Sequence, residues 1–135
     1  MPNFIASQEL FRADGLVITA NGNTVTGTTT NQVNGVTTGI INVQQAANGT
    51  LIVNVSAITG SSTPTLAVFF DIQDSFGNWV LVSNATSIGG TAITGTGVVS
   101  GPLSATNIAA FNGRIRWTVS GTTPSFTVSF DIFGR

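Results

Sequence analysis

The sequence predicts an all-β fold, an antiparallel β-sandwich of jelly-roll-like type, on three observations. Val, Ile, Phe and Thr abound while Lys is absent and Glu, Gln and Leu are scarce, which favours strands over helices. Turn signals recur along the chain: Asn21-Gly22, Asn34-Gly35 and Asn48-Gly49, then Asp74-Ser75-Phe76-Gly77, Gly89-Gly90, Gly101-Pro102, Asn112-Gly113 and Ser120-Gly121. Asn-Gly readily takes the positive φ angles of tight turns. Between these signals, short runs alternate apolar and polar residues with the period of a strand.

Taken in order, the chain of 135 residues reads as a short N-terminal arm over residues 1–14 and one sandwich domain over 15–135. In the arm, Gln8-Glu9-Leu10-Phe11-Arg12-Ala13 suits a helical turn that Gly15 would end, and an extended arm fits equally well. Residues 19–39 and 83–107 are poor in large apolar groups. They fit edge strands, long loops, or strands ordered by a neighbouring subunit. Leu51-Ile52-Val53-Asn54-Val55 is almost continuously apolar and reads as a central strand.

Two hairpins are expected. In the first, Leu66, Val68, Phe70 and Ile72 share a face, and a four-residue connection at 74–77 sets Ile72 opposite Trp79 and Phe70 opposite Leu81. In the second, residues 114–120 return through 121–124 to 125–133. That register places Ile115, Trp117 and Val119 with Phe126, Val128, Phe130 and Ile132, and sets Arg114 opposite Asp131 with Arg116 diagonal to it. Phe70-Asp71-Ile72 is echoed by Phe130-Asp131-Ile132, too short a match to define a repeat.

Composition narrows the function. The chain has no Lys, His, Cys or Tyr, four Arg and five acidic residues. General acid–base work and nucleophilic catalysis lean on the missing types, as do most transition-metal sites. A net charge of −1 gives no electrostatic basis for nucleic-acid binding or for attraction to anionic membranes. The apolar runs fall well short of a spanning helix, and the N-terminus carries no cationic region or sustained apolar stretch, so no secretory signal is expected. A mean hydropathy of +0.37 with so few charges suggests surfaces covered by other subunits.

No residue set reads as catalytic. Beyond the N-terminal segment the side-chain carboxylates are Asp71, Asp74 and Asp131, expected in turn capping and cross-strand pairing. A Ser or Thr nucleophile has no His or Lys to activate it. Asp71-Ile72-Gln73-Asp74 offers too few oxygens for Ca²⁺, and the glycine-rich segments lack the context of a phosphate loop. No metal or cofactor is expected. Trp79 and Trp117 are the residues a sugar platform would use, but both fall in register with core positions. Arg114, Arg116 and Arg135 are expected to pair with Asp131 and the terminal carboxylate. Asn48, Asn54 and Asn84 head Asn-X-Ser/Thr triplets, which a Thr-rich chain produces by chance.

The ending Gly113-Arg114-Ile115-Arg116-Trp117-Thr118-Val119-Ser120-Gly121, with Ser125-Phe126-Thr127-Val128-Ser129-Phe130-Asp131-Ile132-Phe133-Gly134-Arg135, resembles that of small β-rich virion proteins of tailed bacteriophages. These have an arginine-and-tryptophan strand, a Gly/Thr/Pro turn and a last strand closing in Gly-Arg. Phe70-Asp71-Ile72-Gln73-Asp74-Ser75 with Gly77-Asn78-Trp79 resembles a hairpin of the same group. The matched segments cover less than half of the chain. The resemblance implies a non-enzymatic head decoration (cement) protein on the capsid exterior, a homotrimer clamping neighbouring copies of the major capsid protein. A tail, baseplate or fibre-associated subunit and a carbohydrate-binding module are the alternatives. The candidate subunit or capsid contacts are Phe4, Leu10, Phe11, Phe76 and Phe133. The first three lie in the arm. Phe76 and Phe133, like Phe69, fall at a turn or off the apolar face of a strand, which a second packed layer explains as well as a subunit contact.

Overall fold

The computed structural model describes residues 7–26, 29–37 and 39–135; Phe4 and the rest of residues 1–6 lie outside the described residues. Seven strands run in chain order: β1 (Gln8–Ile18), β2 (Gly22–Asn23), β3 (Ile41–Asn42), β4 (Gly49–Gln73), β5 (Trp79–Leu81), β6 (Gly97–Pro102) and β7 (Asn112–Gly134). Every pairing among them is antiparallel, and no helix occurs among the described residues. The all-β expectation holds.

The frame is a bent ribbon of two long strands, 25 residues in β4 and 23 in β7. The first arm of β4 pairs with the second arm of β7, from Gly49↔Gly134 to Thr59↔Ser125. Its second arm pairs with the first arm of β7, from Thr65↔Ser120 to Ile72↔Gly113. Between them Ser61 still faces Thr122, so the ribbon bends without coming apart. The bend needs left-handed backbone: φ is +121° at Gly60 and +114° at Gly121, with Ser62, Thr63 and Thr123 also positive. Each glycine packs on the other strand's proline. A Cβ on Gly60 would stand 3.0 Å from the Pro124 Cα, and one on Gly121 would stand 2.9 Å from the Pro64 Cα.

This corrects the second hairpin. Residues 114–120 and 125–133 do not pair with each other; they are two arms of one strand, because β4 offers both arms a full-length partner with matching apolar alternation. The first hairpin exists with a different register. Asp74 starts a turn that closes at Asn78, its Oδ1 accepting from the Phe76 and Asn78 N–H groups at 2.9 and 2.8 Å. The added residue sets Trp79 opposite Gln73 and Val80 opposite Ile72, which turns Trp79 away from the apolar face.

Bending the ribbon folds the sheet into two layers. One holds β1, the second arm of β7, the first arm of β4 and β6; the other holds β2 and β3, the first arm of β7, the second arm of β4 and β5. Between them lie Phe11, Leu51, Val53, Phe126, Phe130 and Ile132 facing Leu66, Val68, Phe70, Ile115 and Trp117, all buried. Trp117 and Phe130, from opposite layers, stack with ring centroids 5.8 Å apart, and the indole Nε1–H donates to the Ala20 carbonyl at 3.1 Å. Leu51, Val53 and Val55 sit on the central strand expected of them, between β6 and β7.

Residues 8–14, expected as part of an arm, form the start of β1, paired with β7 from Gln8↔Gly134 onward. The segment is extended rather than helical. Two bulges, at Leu10 and near Gly15 (φ +65°), keep Phe11, Ala13 and Ile18 facing the core.

The segments poor in apolar residues close the sheet edges. Buried Asn31 accepts from the Arg12 N–H and donates to the Leu10 carbonyl along the outer edge of β1. Buried Ser87 and Ser83 accept from the Val68 and Phe70 N–H groups, each at 3.0 Å, on the edge of β4 beyond β5. Buried Thr24 exchanges bonds with the backbone of Ile115 and donates to the Gly39 carbonyl. Side-chain oxygens thus take the place of further strands and cover edges that would otherwise recruit other chains.

Candidate functional site

Three surface features stand out. The first lies on the outer face of the second layer. Phe69, Asp71 and Gln73 alternate outward on β4, Trp79 stands opposite Gln73 on β5, and Arg114 and Arg116 stand opposite Asp71 and Phe69 on β7. The Asp71 carboxylate is 3% exposed and accepts from the Nε of both arginines, at 2.9 and 3.0 Å, while Arg116 adds a longer bond from its second terminal nitrogen. Arg114 lies over the Trp79 ring, 4.7 Å from its centroid, and Arg116 over Phe69 at 4.6 Å. The result is a row, Trp79–Arg114–Asp71–Arg116–Phe69, in which aromatic faces hold the guanidinium planes. This corrects the expected pairing of Arg114 and Arg116 with Asp131, which rested on the hairpin that does not form. It also corrects Trp79, a half-buried residue of the outer face, while Trp117 takes its expected core place.

The second feature is the corresponding place in the first layer. Arg12 stands opposite Asp131, yet its guanidinium forks onto Asp14, at 3.1 and 2.9 Å. Asp131 is left with a buried Oδ1 that has no hydrogen-bond partner. Burial first, then the neighbouring Glu9 carboxyl, push its pKa up from 3.8 to about 7, against the pull of Arg12.

The third feature is a groove with exposed apolar residues. Ile72, Val80, Ala109, Ala110 and Phe111 line an open space of about 340 Å³ together with Gln73, Asp74, Ser75 and Asn112. Phe111 is 67% exposed, and Phe76, from the same turn as Asp74, is 91% exposed. Phe111 escaped sequence reasoning because no strand pattern framed it.

The expected contact residues scatter across the fold. Phe76 is fully at the surface and Phe133 is 37% exposed on the outer face of β7. Leu10 is half-buried and packs against the core. Phe11 is wholly buried, so it is a core residue and not a surface contact: the bulge at Leu10 turns it inward. Among the described residues no group of three or more acidic side chains is placed to hold a metal ion. No helix there is long and apolar enough to cross a membrane.

No family model matches the chain, and no curated protein matches it in sequence. Among solved structures it is similar to the SPBc2 prophage-derived protein YomS, at 12% identity and a TM-score of 0.46 over 99% of this chain and all of that one. It is also similar to the globular domain of zebrafish complement 1qA protein, at 8% identity and a TM-score of 0.42, covering 93% and 94%. A third similarity is to infectious bursal disease virus, strain Gx, at 11% identity and a TM-score of 0.44, covering 95% of this chain and 32% of the viral one. Similarities of this size identify neither a family nor a function.

Proposed function

We propose that this chain is a structural subunit of a bacteriophage particle, a head decoration protein that self-associates and binds the major capsid protein on the capsid exterior. The observation that carries this reading is the exposed apolar surface at Phe111 and Val80 on the groove, on a chain with only nine charged side chains. Apolar groups gathered at a groove favour a covering partner, and a surface this poor in charge does little to repel one. The resemblance of residues 113–121 and 125–135 to phage virion proteins names the kind of partner. A tail, baseplate or fibre subunit uses the same chemistry and remains the alternative.

Binding to purified heads stripped of decoration tests the proposal. Saturable occupancy that protects the heads against heat supports it, with Phe111→Ser reducing occupancy at unchanged stability. Unchanged occupancy of the variant, or no binding to heads, contradicts it.

A carbohydrate-binding module is a second reading, favoured by one observation: Trp79 lies on the outer face beside Gln73 and Arg114. Tryptophan emission titrated with neutral glycans tests it, using Trp79→Phe to isolate Trp117. A saturable change that disappears in the variant supports this reading, and an insensitive emission removes it.

A further inference from the structure

We propose that the row Trp79–Arg114–Asp71–Arg116–Phe69 is a binding site for a carboxylate side chain of a protein partner. That the partner is the capsid protein rests on the function proposed above; the carboxylate site does not.

Two guanidinium groups share one carboxylate, so the row keeps one net positive charge. Asp71 is already engaged as an acceptor: its Oδ2 takes both Nε–H groups and its Oδ1 takes Arg116. Arg114 offers five N–H donors and gives one to Asp71, and its terminal nitrogens have no acceptor among the described residues. The first terminal nitrogen of Arg116 is in the same position. These donors are reachable, at side-chain exposures of 17% for Arg114 and 29% for Arg116. They are also pre-aligned, because Trp79 and Phe69 fix the guanidinium planes and the strands fix the stems. A ligand therefore meets the free fork of Arg114 and one terminal nitrogen of Arg116, both already ordered. Partial burial strengthens each charge-assisted bond above that of a freely hydrated pair.

The charge balance sets the class of ligand. One unmatched positive charge suits a singly charged carboxylate better than a doubly charged phosphate. Two arginines on a chain of net charge −1 are too few to follow a nucleic-acid backbone. The half-buried Trp79 and Phe69 rings at either end give apolar contact to the methylene groups of an Asp or Glu side chain.

The test is an NMR titration of the ¹⁵N-labelled full chain, following the arginine Nε–H and tryptophan Nε1–H signals, with a hexaglutamate peptide as probe. Hexaglutamine, oligogalacturonate and inorganic phosphate are the comparison ligands. Hexaglutamate is expected to shift Arg114, Arg116 and Trp79 together and saturably, leaving Trp117 in place, while hexaglutamine does nothing. Arg116→Gln is expected to weaken binding about tenfold. Arg116→Lys, which keeps the charge but loses the fork, is expected to weaken it as well and covers the case in which the glutamine variant fails to fold. No shift with hexaglutamate, or an equal shift with hexaglutamine, overturns the proposal. So does tighter binding of phosphate or oligogalacturonate than of hexaglutamate. Loss of the peptide response with retained binding to heads removes only the carboxylate site. A peptide response in a chain that never binds heads removes only the capsid partner.

Discussion

Asp71 and Asp131 occupy corresponding places in the two arms of one bent ribbon, and only Asp71 is bonded by the arginines opposite it, since Arg12 opposite Asp131 turns to Asp14. Each follows a Gly–Pro bend and points to the outer face of its layer. Asp71 faces Arg114 and Asp131 faces Ile52 on the paired arm. One carboxylate is therefore bonded by two guanidinium groups, while the other keeps an unpartnered oxygen beside Glu9. The same local sequence thus meets different bonding partners on the strands that run beside it.

Asp71→Asn is expected to destabilise the fold by about 3 kcal/mol, since it leaves two partly buried cations facing each other without a counter-charge. Chemical denaturation measures it. A loss under about 1 kcal/mol would mean that solvent already screens the pair.

Asp131 makes stability depend on pH in the direction opposite to an ordinary paired carboxylate. Its folded pKa of about 7 lies above the unfolded value of 3.8, so the folded state binds the proton more tightly. The contribution is fully present below pH 3.8 and is lost as pH rises through about 7. The groups acting on Asp131 are Glu9, Arg12 and Asp14. The melting temperature is expected to be higher near pH 5 than near pH 8, and Asp131→Asn to flatten that difference. A wild-type profile that already runs flat, or that rises with pH across this window, would contradict the assignment.

Ser83→Ala and Ser87→Ala each remove the acceptor of a buried strand-edge amide. Each is expected to cost about 1–3 kcal/mol. Hydrogen exchange should quicken at the Phe70 amide in the first variant and at Val68 in the second. Unchanged protection at those amides would show that water replaces the hydroxyls without loss.

Gly121→Ala is expected to cost more than Gly90→Ala, although both residues have positive φ. A Cβ at Gly90 meets open space, whereas at Gly121 it meets Pro64 and the Ser61 carbonyl. Backbone strain alone costs about 1 kcal/mol, so the excess measures the packing of the bend. Equal losses from the two variants would mean that the bend relaxes freely.

Strand composition and alternation made the all-β class and most of the core legible in the sequence: Leu51, Val53, Val55, Leu66, Val68 and Phe70 all face inward as their spacing requires. The partner of each strand was less legible. Gly121-Thr122-Thr123-Pro124 carries the residues of a tight turn, and nothing local separates a chain that reverses from one that bends beside a second bend. The signal that could have done so is the match between Pro64-Thr65-Leu66-Ala67-Val68-Phe69-Phe70-Asp71-Ile72 and Pro124-Ser125-Phe126-Thr127-Val128-Ser129-Phe130-Asp131-Ile132. It extends the Phe-Asp-Ile echo back to the prolines, and both copies follow a glycine that bends. The row around Asp71 was hidden for the same reason, because it depends on which arm Arg114 lies beside. Phe11 shows the limit of alternation: one bulge at Leu10 moves it from the surface to the core.

The proposed role as a head subunit used in many copies is checked by quantitative mass spectrometry of the purified particle. Hundreds of copies per particle are the predicted result. A small multiple of three or six would mean a tail component, and absence from the particle would contradict the virion reading itself.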